Sequence, residues 1–160
     1  MTIANRECGG CTLCCKYLGV AGSDGTSTWK KAWRTCEFCV GKGCSIHPDR
    51  PGPCRRFECL WLQSDQVPEK FRPDRVKAVL TSGEDNGLVI HCLEKDRLRI
   101  IGGRTEFSRY VLGMSRKGPV LLSMDKGETH IGNNASRTNE REGISLGVSS
   151  VSAHTKAVKG

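Results

Sequence analysis

Cys8-Gly9-Gly10-Cys11-Thr12-Leu13-Cys14-Cys15 opens the part of the chain that decides its architecture. Two residues between cysteines let both sulfurs reach one metal, because the intervening chain makes a tight turn. Gly9 and Gly10 ease that turn, since glycine admits positive φ angles. Neighbouring side chains tend to diverge, so the adjacent pair Cys14-Cys15 is expected to serve two sites or a polynuclear cluster, or to have one member packing while the other binds.

A second group follows at Cys36, Cys39, Cys44, Cys54 and Cys59. Cys36 and Cys39 repeat the chelating spacing. Cys44 follows the flexible Gly41-Lys42-Gly43, and Cys54 follows Pro51-Gly52-Pro53, which stiffens and turns the backbone. Of ten cysteines, nine fall between Cys8 and Cys59 and only Cys92 lies beyond, in an apolar run where it reads as a buried core thiol. Nine clustered cysteines suffice for two four-thiolate sites with one to spare, or for one site with the rest in its surroundings. His47 is a further candidate ligand. Arg50, Arg55 and Arg56 flank Cys54, where guanidinium groups lower thiol pKa and offset thiolate charge. His91, His130 and His154 are isolated and read as structural or surface residues.

The apolar fraction is 37%, below the usual range for a compact domain, so staples are expected to assist the core. Whether they are metals or disulfides depends on the compartment. The start of the chain shows no apolar leader, and no stretch approaches the roughly 20 apolar residues of a membrane span. A cytoplasmic protein with no membrane partner is expected, and its thiols stay reduced and available to zinc or an iron–sulfur centre. The formal charge of +8 permits a nucleic-acid partner without establishing one; Lys30, Lys31, Arg34, Arg55 and Arg56 would carry that contact.

The expected fold class is a small α+β protein in three parts. Residues 7–62 form a cysteine-rich, metal-centred loop module. Within it TWKKAWRTC, from Thr28, suggests a helical turn with Trp29 and Trp33 on one face, and the three tryptophans are expected to pack rather than stack on bases. Residues 67–132 form an antiparallel strand meander with one helix, packed with the first part. VKAVLTS and GLVIHCLEK read as strands joined through the turn-rich Gly83–Gly87. LRIIGG reads as a third strand and PVLLSMD as a fourth, with a helix over Thr105–Met114. Residues 133–160 are polar and without periodicity, and read as a flexible tail. The sequon Asn134-Ala135-Ser136 within it is accidental in a chain without a secretory signal.

CGGCTLCC together with GCSIHPDRPGPCRRFECLWL resembles the YkgJ-type cysteine-cluster proteins, described as zinc- or iron-chelating domains. The family pairs a C-x-x-C-x-x-C-C element with a later C-x-I-[YH]-x-x-R-P-x-x-C-R element. Here the first is Cys8, Cys11, Cys14 and Cys15, and the second is Cys44, Ile46, His47, Arg50, Pro51, Cys54 and Arg55. The pattern has no fixed counterpart for both Cys36 and Cys39. The resemblance covers Cys8 to Leu62, loosely extends toward His130, and implies metal binding without an agreed reaction. Related clusters occur in larger flagellin lysine methylases, so an S-adenosylmethionine-linked modifying enzyme is one alternative and a zinc-ribbon-like adaptor for nucleic acid or protein is the other. Against the enzyme, no GxGxxG loop, Ser-His-Asp set or carboxylate pair stands out.

Overall fold

A computed structural model describes residues 6–22, 24 and 27–132. The tail expected over 133–160, with its sequon and His154, lies outside the described residues. The chain forms α1 (Leu13–Tyr17), β1 (Val20–Ala21), β2 (Thr28–Lys30), α2 (Gly52–Arg56), α3 (Leu60–Gln63), α4 (Pro73–Val76), β3 (Ala78–Ser82), β4 (Leu88–Cys92), α5 (Arg97–Ile101), α6 (Glu106–Ser115), β5 (Val120–Met124) and β6 (Gly127–Ile131). The small α+β class holds. No described helix is long and apolar enough to cross a membrane.

The four-stranded sheet has the order β3-β4-β5-β6. β3 and β4 are the expected hairpin, with Ala78 opposite Cys92 and Ser82 opposite Leu88. At its turn Gly87 accepts from Gly83 and donates to Glu84. A Cβ at Gly87 would stand 2.8 Å from the Glu84 carbonyl oxygen and 2.9 Å from that of Pro119, so only glycine fits. The meander expectation needs correcting in two places. LRIIGG is not a strand: Arg97–Ile101 is α5, which together with α6 carries the chain from β4 to β5. That crossover makes β4 and β5 parallel, Leu88 beside Val120 and Cys92 beside Met124. The edge strand β6, whose exposed residues Gly127, Glu128 and His130 carry no apolar run, has no counterpart among the strands expected from the sequence.

α6 follows its sequence signals. Thr105 caps it, accepting from the Ser108 amide at 3.0 Å while the Ser108 hydroxyl accepts from the Thr105 amide at 2.9 Å. Its inward face brings Phe107 to Phe71 (ring centroids 5.2 Å) and Tyr110 to Phe71 (5.2 Å). β4 and β5 alternate buried and partly buried positions, so Leu88, Ile90 and Cys92 share the core face of β4. Leu13, Tyr17, Cys59 and Trp61, all from the cysteine-bearing segment, belong to the same buried cluster as the sheet residues. The two parts of the chain are therefore packed through a shared core.

The expected helical turn from Thr28 is also corrected. Thr28–Lys30 is β2, paired antiparallel with β1, and Trp33 adopts a left-handed φ of 61°. Trp61 is buried and Trp33 packs on Tyr17 at 5.5 Å, as packing tryptophans should, whereas Trp29 stacks on Phe38 near the surface at 5.9 Å.

Candidate metal centre

Cys8 and Cys11 lie on one turn, closed by the Cys11 amide donating to the Cys8 carbonyl at 3.2 Å. The Cys8 thiol also donates to the Cys11 carbonyl, at 3.6 Å. Gly9 holds a φ of +54° at the apex, and a Cβ there would approach the Arg72 guanidinium to 3.8 Å. Cys14 and Cys15 ride on α1, whose inward residues Leu13 and Tyr17 anchor it in the core. The segment after β2 then runs back along this helix: the Trp33 amide donates to the Tyr17 carbonyl at 3.0 Å and the Cys36 amide to the Cys15 carbonyl at 2.9 Å. This crossing sets the second cysteine group against the first. Cys39 and Cys44 face each other across a bridge around Gly41. Cys54 lies in α2, started by Pro51, and Cys59 immediately precedes α3.

Two adjoining cavities result. One, of about 270 Å³, is walled by Cys8, Cys11, Cys14, Cys15, Cys36, Cys44 and Cys54 together with Lys30, His47 and Arg50. The other, of about 750 Å³, shares Cys8, Cys11, Cys14, Cys44 and Cys54 with it and adds Cys59. Of the nine clustered cysteines, Cys39 alone lines neither. All ten cysteines are free thiols. Those on the cavities are half-buried apart from the buried Cys59, whereas Cys92 is wholly enclosed in the sheet core. His47 is exposed; its amide closes a turn on Cys44 at 3.2 Å and its carbonyl accepts from Arg50 Nε at 2.9 Å. Among the described residues no three Cys, His, Asp or Glu side chains stand together as a ready-made ion site.

The thiols perturb one another. The neighbouring Cys14 and Cys15 shift each other in opposite directions, Cys14 up and Cys15 down; burial adds to the first shift and opposes the second. Burial pushes Cys8 up to about 11, reinforced by the charges of Cys11, Cys59 and Cys15 and opposed by Arg72. Burial also raises Cys54, with Arg50 opposing, and raises Cys59 against the pull of the Leu62 and Trp61 amides.

Three cations near these sulfurs, Lys30, Arg72 and Arg6, belong to no cysteine motif, so spacing gives no sign of their place at the site. Lys30 was expected on a basic outer surface. It is instead buried at 8% exposure, its ammonium bonded to the Leu18 carbonyl and, at 3.2 Å, to that of Lys31. Its charge, with those of Arg50 and Lys16, acts on Cys15. Arg72 acts on Cys8. Arg6 works through the backbone instead. Its Nη1 donates to the Trp61 and Val67 carbonyls, both at 2.8 Å, and its guanidinium lies 5.0 Å over the Trp61 ring. That clamp ties the stretch of chain entering Cys8 to the segment that follows Cys59. The chain matches no protein-family model, no curated protein and no solved structure.

Proposed function

We propose that this chain is a cysteine-ligated metal-binding protein that holds zinc or an iron–sulfur centre between Cys8 and Cys59. The observation that carries this reading is the convergence of eight thiols, from separate turns and short helices, on two joined cavities flanked by Lys30, Arg50 and Arg72. A metal held by four thiolates is net anionic, and partly buried cations offset that charge. Cysteines used only as small apolar residues would be enclosed as Cys92 is, not arrayed on a cavity. The resemblance of the two cysteine elements to the YkgJ-type family supports the same reading. A reducing, cytoplasmic setting belongs to the proposal, because it keeps the thiols available.

The sulfurs have to draw inward to share an ion, since among the described residues no three stand ready. The loops have room for this: Gly41 and Gly43 have no atom within 4 Å of where a side chain would begin. Binding is then coupled to ordering of residues 7–62, so part of the binding free energy appears as stability of that segment. The test is metal and acid-labile sulfide content of anaerobically purified protein, with a visible spectrum. Colourless protein with stoichiometric zinc supports a zinc site, and brown protein with sulfide supports an iron–sulfur centre. Less than one tightly bound metal per chain, with no protease protection of residues 7–62 on loading, would sink the reading.

A further inference from the structure

We propose that the rim of the smaller cavity binds single-stranded nucleic acid, with bases stacking on Trp29 and Phe57 and phosphates meeting Arg55 and Arg56. This second function stands beside the metal-binding reading and does not depend on it. A metal takes nitrogen, oxygen or sulfur donors, and an ion about 2.3 Å from its sulfurs fills little of a cavity of about 270 Å³. Much of the remaining lining is apolar: Val20, Trp29, Ile46, Pro51, Pro53 and Phe57. Trp29 and Phe57 are exposed as well, at 39% and 36%. Rings that served only to keep water off the sulfurs would be enclosed as Trp61 is. Trp29 spends one face on Phe38, parallel to within 6° at 5.9 Å, and still borders the cavity. A flat ring arriving from outside can extend that stack.

The cations beside these rings decide the class of ligand. Arg55 and Arg56 are exposed and immediately precede Phe57. Arg55 Nε donates to the Arg50 carbonyl at 2.6 Å, and Arg56 folds against Gly52, where a Cβ would stand 2.9 Å from its Nη1. Both are thereby held at the wall formed by Pro51 and Pro53. Among the described residues neither they nor Arg50 forms an ion pair, and no carboxylate lines the cavity. A neutral base inside avoids the charge of a thiolate centre, while phosphates outside meet the guanidinium groups. Aromatic rings beside unpaired cations suit a single strand, whose bases have free faces. A duplex offers none, and no described helix of the cysteine segment exceeds five residues, too short to serve as a groove-reading helix.

The experiment titrates the full chain, at matched metal occupancy, into a labelled oligothymidylate of about 12 nucleotides, a duplex of that length and polyglutamate. Wild type should bind the single strand more tightly than either of the others. Trp29→Ala should weaken that binding by about 5–100-fold, and Trp29→Phe should restore most of the loss. Arg55→Gln combined with Arg56→Gln should flatten the fall of log affinity with log salt by about 0.7 for each phosphate contact removed. Hydrogen exchange over β3–β6 reports whether each variant retains its sheet. Phe57→Ala, at a position outside every strand and outside the core, gives an independent reading should Trp29→Ala unfold. No binding of the single strand, equal binding of duplex or polyglutamate, or an affinity indifferent to both aromatic substitutions in folded protein overturns the proposal. None of these outcomes touches metal content, so the metal-binding reading stands or falls separately.

Discussion

Cys92→Ser, set beside Cys92→Ala, tests whether the tenth cysteine belongs to the core and not to the metal. Cys92 has no exposed surface and ends β4 on its core face, between Ala78 of β3 and Met124 of β5. Burial, reinforced by the charges of Asp96, Glu94 and Asp125, pushes its thiol up to about 12, so it stays neutral at ordinary pH. Alanine removes one apolar atom, at a cost of about 1 kcal/mol for a group the size of a methylene. Serine places a hydroxyl in the same enclosure, which costs about 1–3 kcal/mol where no partner compensates. Although serine is nearer cysteine in shape, it gives up the same sulfur and also buries the hydroxyl, so it should be the less stable variant, by about 1–3 kcal/mol. Against a total stability of about 5–15 kcal/mol, this is a readable fraction. Urea unfolding followed by circular dichroism should show a lower midpoint with an unchanged slope. Because bound metal adds to stability, each variant is measured at matched metal occupancy and again with chelator. Metal per chain should equal wild type in both variants. Serine as stable as alanine would refute the dry-core argument, and loss of metal from either would refute the separation of Cys92 from the site.

Three other outcomes are expected. Burial lowers the His91 pKa below its ordinary 6.5, with Glu128 opposing, while Thr81 Oγ1 lies 3.0 Å from its Nε2. The unfolded chain thus binds the extra proton first, so this contribution to stability is complete above about pH 6.5 and is lost as pH falls toward the depressed folded value. Urea midpoints across that window should fall less in His91→Gln, and an equal fall would reject the assignment. Arg6→Met should cost about 2–3 kcal/mol by removing charged donors from the Trp61 and Val67 carbonyls, and should weaken metal binding in chelator competition; unchanged affinity would show that the clamp does not support Cys8. Phe71→Ala should cost about 3–5 kcal/mol by emptying the aromatic contact with Phe107 and Tyr110, with metal per folded chain unchanged, as checked by thermal unfolding and metal analysis; a cost under about 1 kcal/mol would contradict that packing.

The hairpin of β3 and β4, strand β5 and helix α6 were legible in the sequence because their signals are local. Alternating apolar residues, the turn between Gly83 and Gly87 and the Thr105 cap act within a few residues of themselves. Arg97–Ile101 was not legible, since a short apolar run suits a buried strand and a helix equally, and packing beside α6 decided for the helix. The parallel pairing of β4 with β5 likewise depends on a crossover that no local pattern encodes. In the cysteine segment, spacing alone places Cys8 beside Cys11, because a two-residue turn leaves little choice. Spacing does not say which turns meet. That Cys36 returns to Cys15, that Cys59 shares a cavity with Cys8 while Cys39 lines none, and that Lys30 is buried all follow from chain crossings between segments far apart in sequence. Such crossings are set by burial of Leu13, Tyr17 and Trp61 in a core they share with the sheet, a property of the whole folded chain.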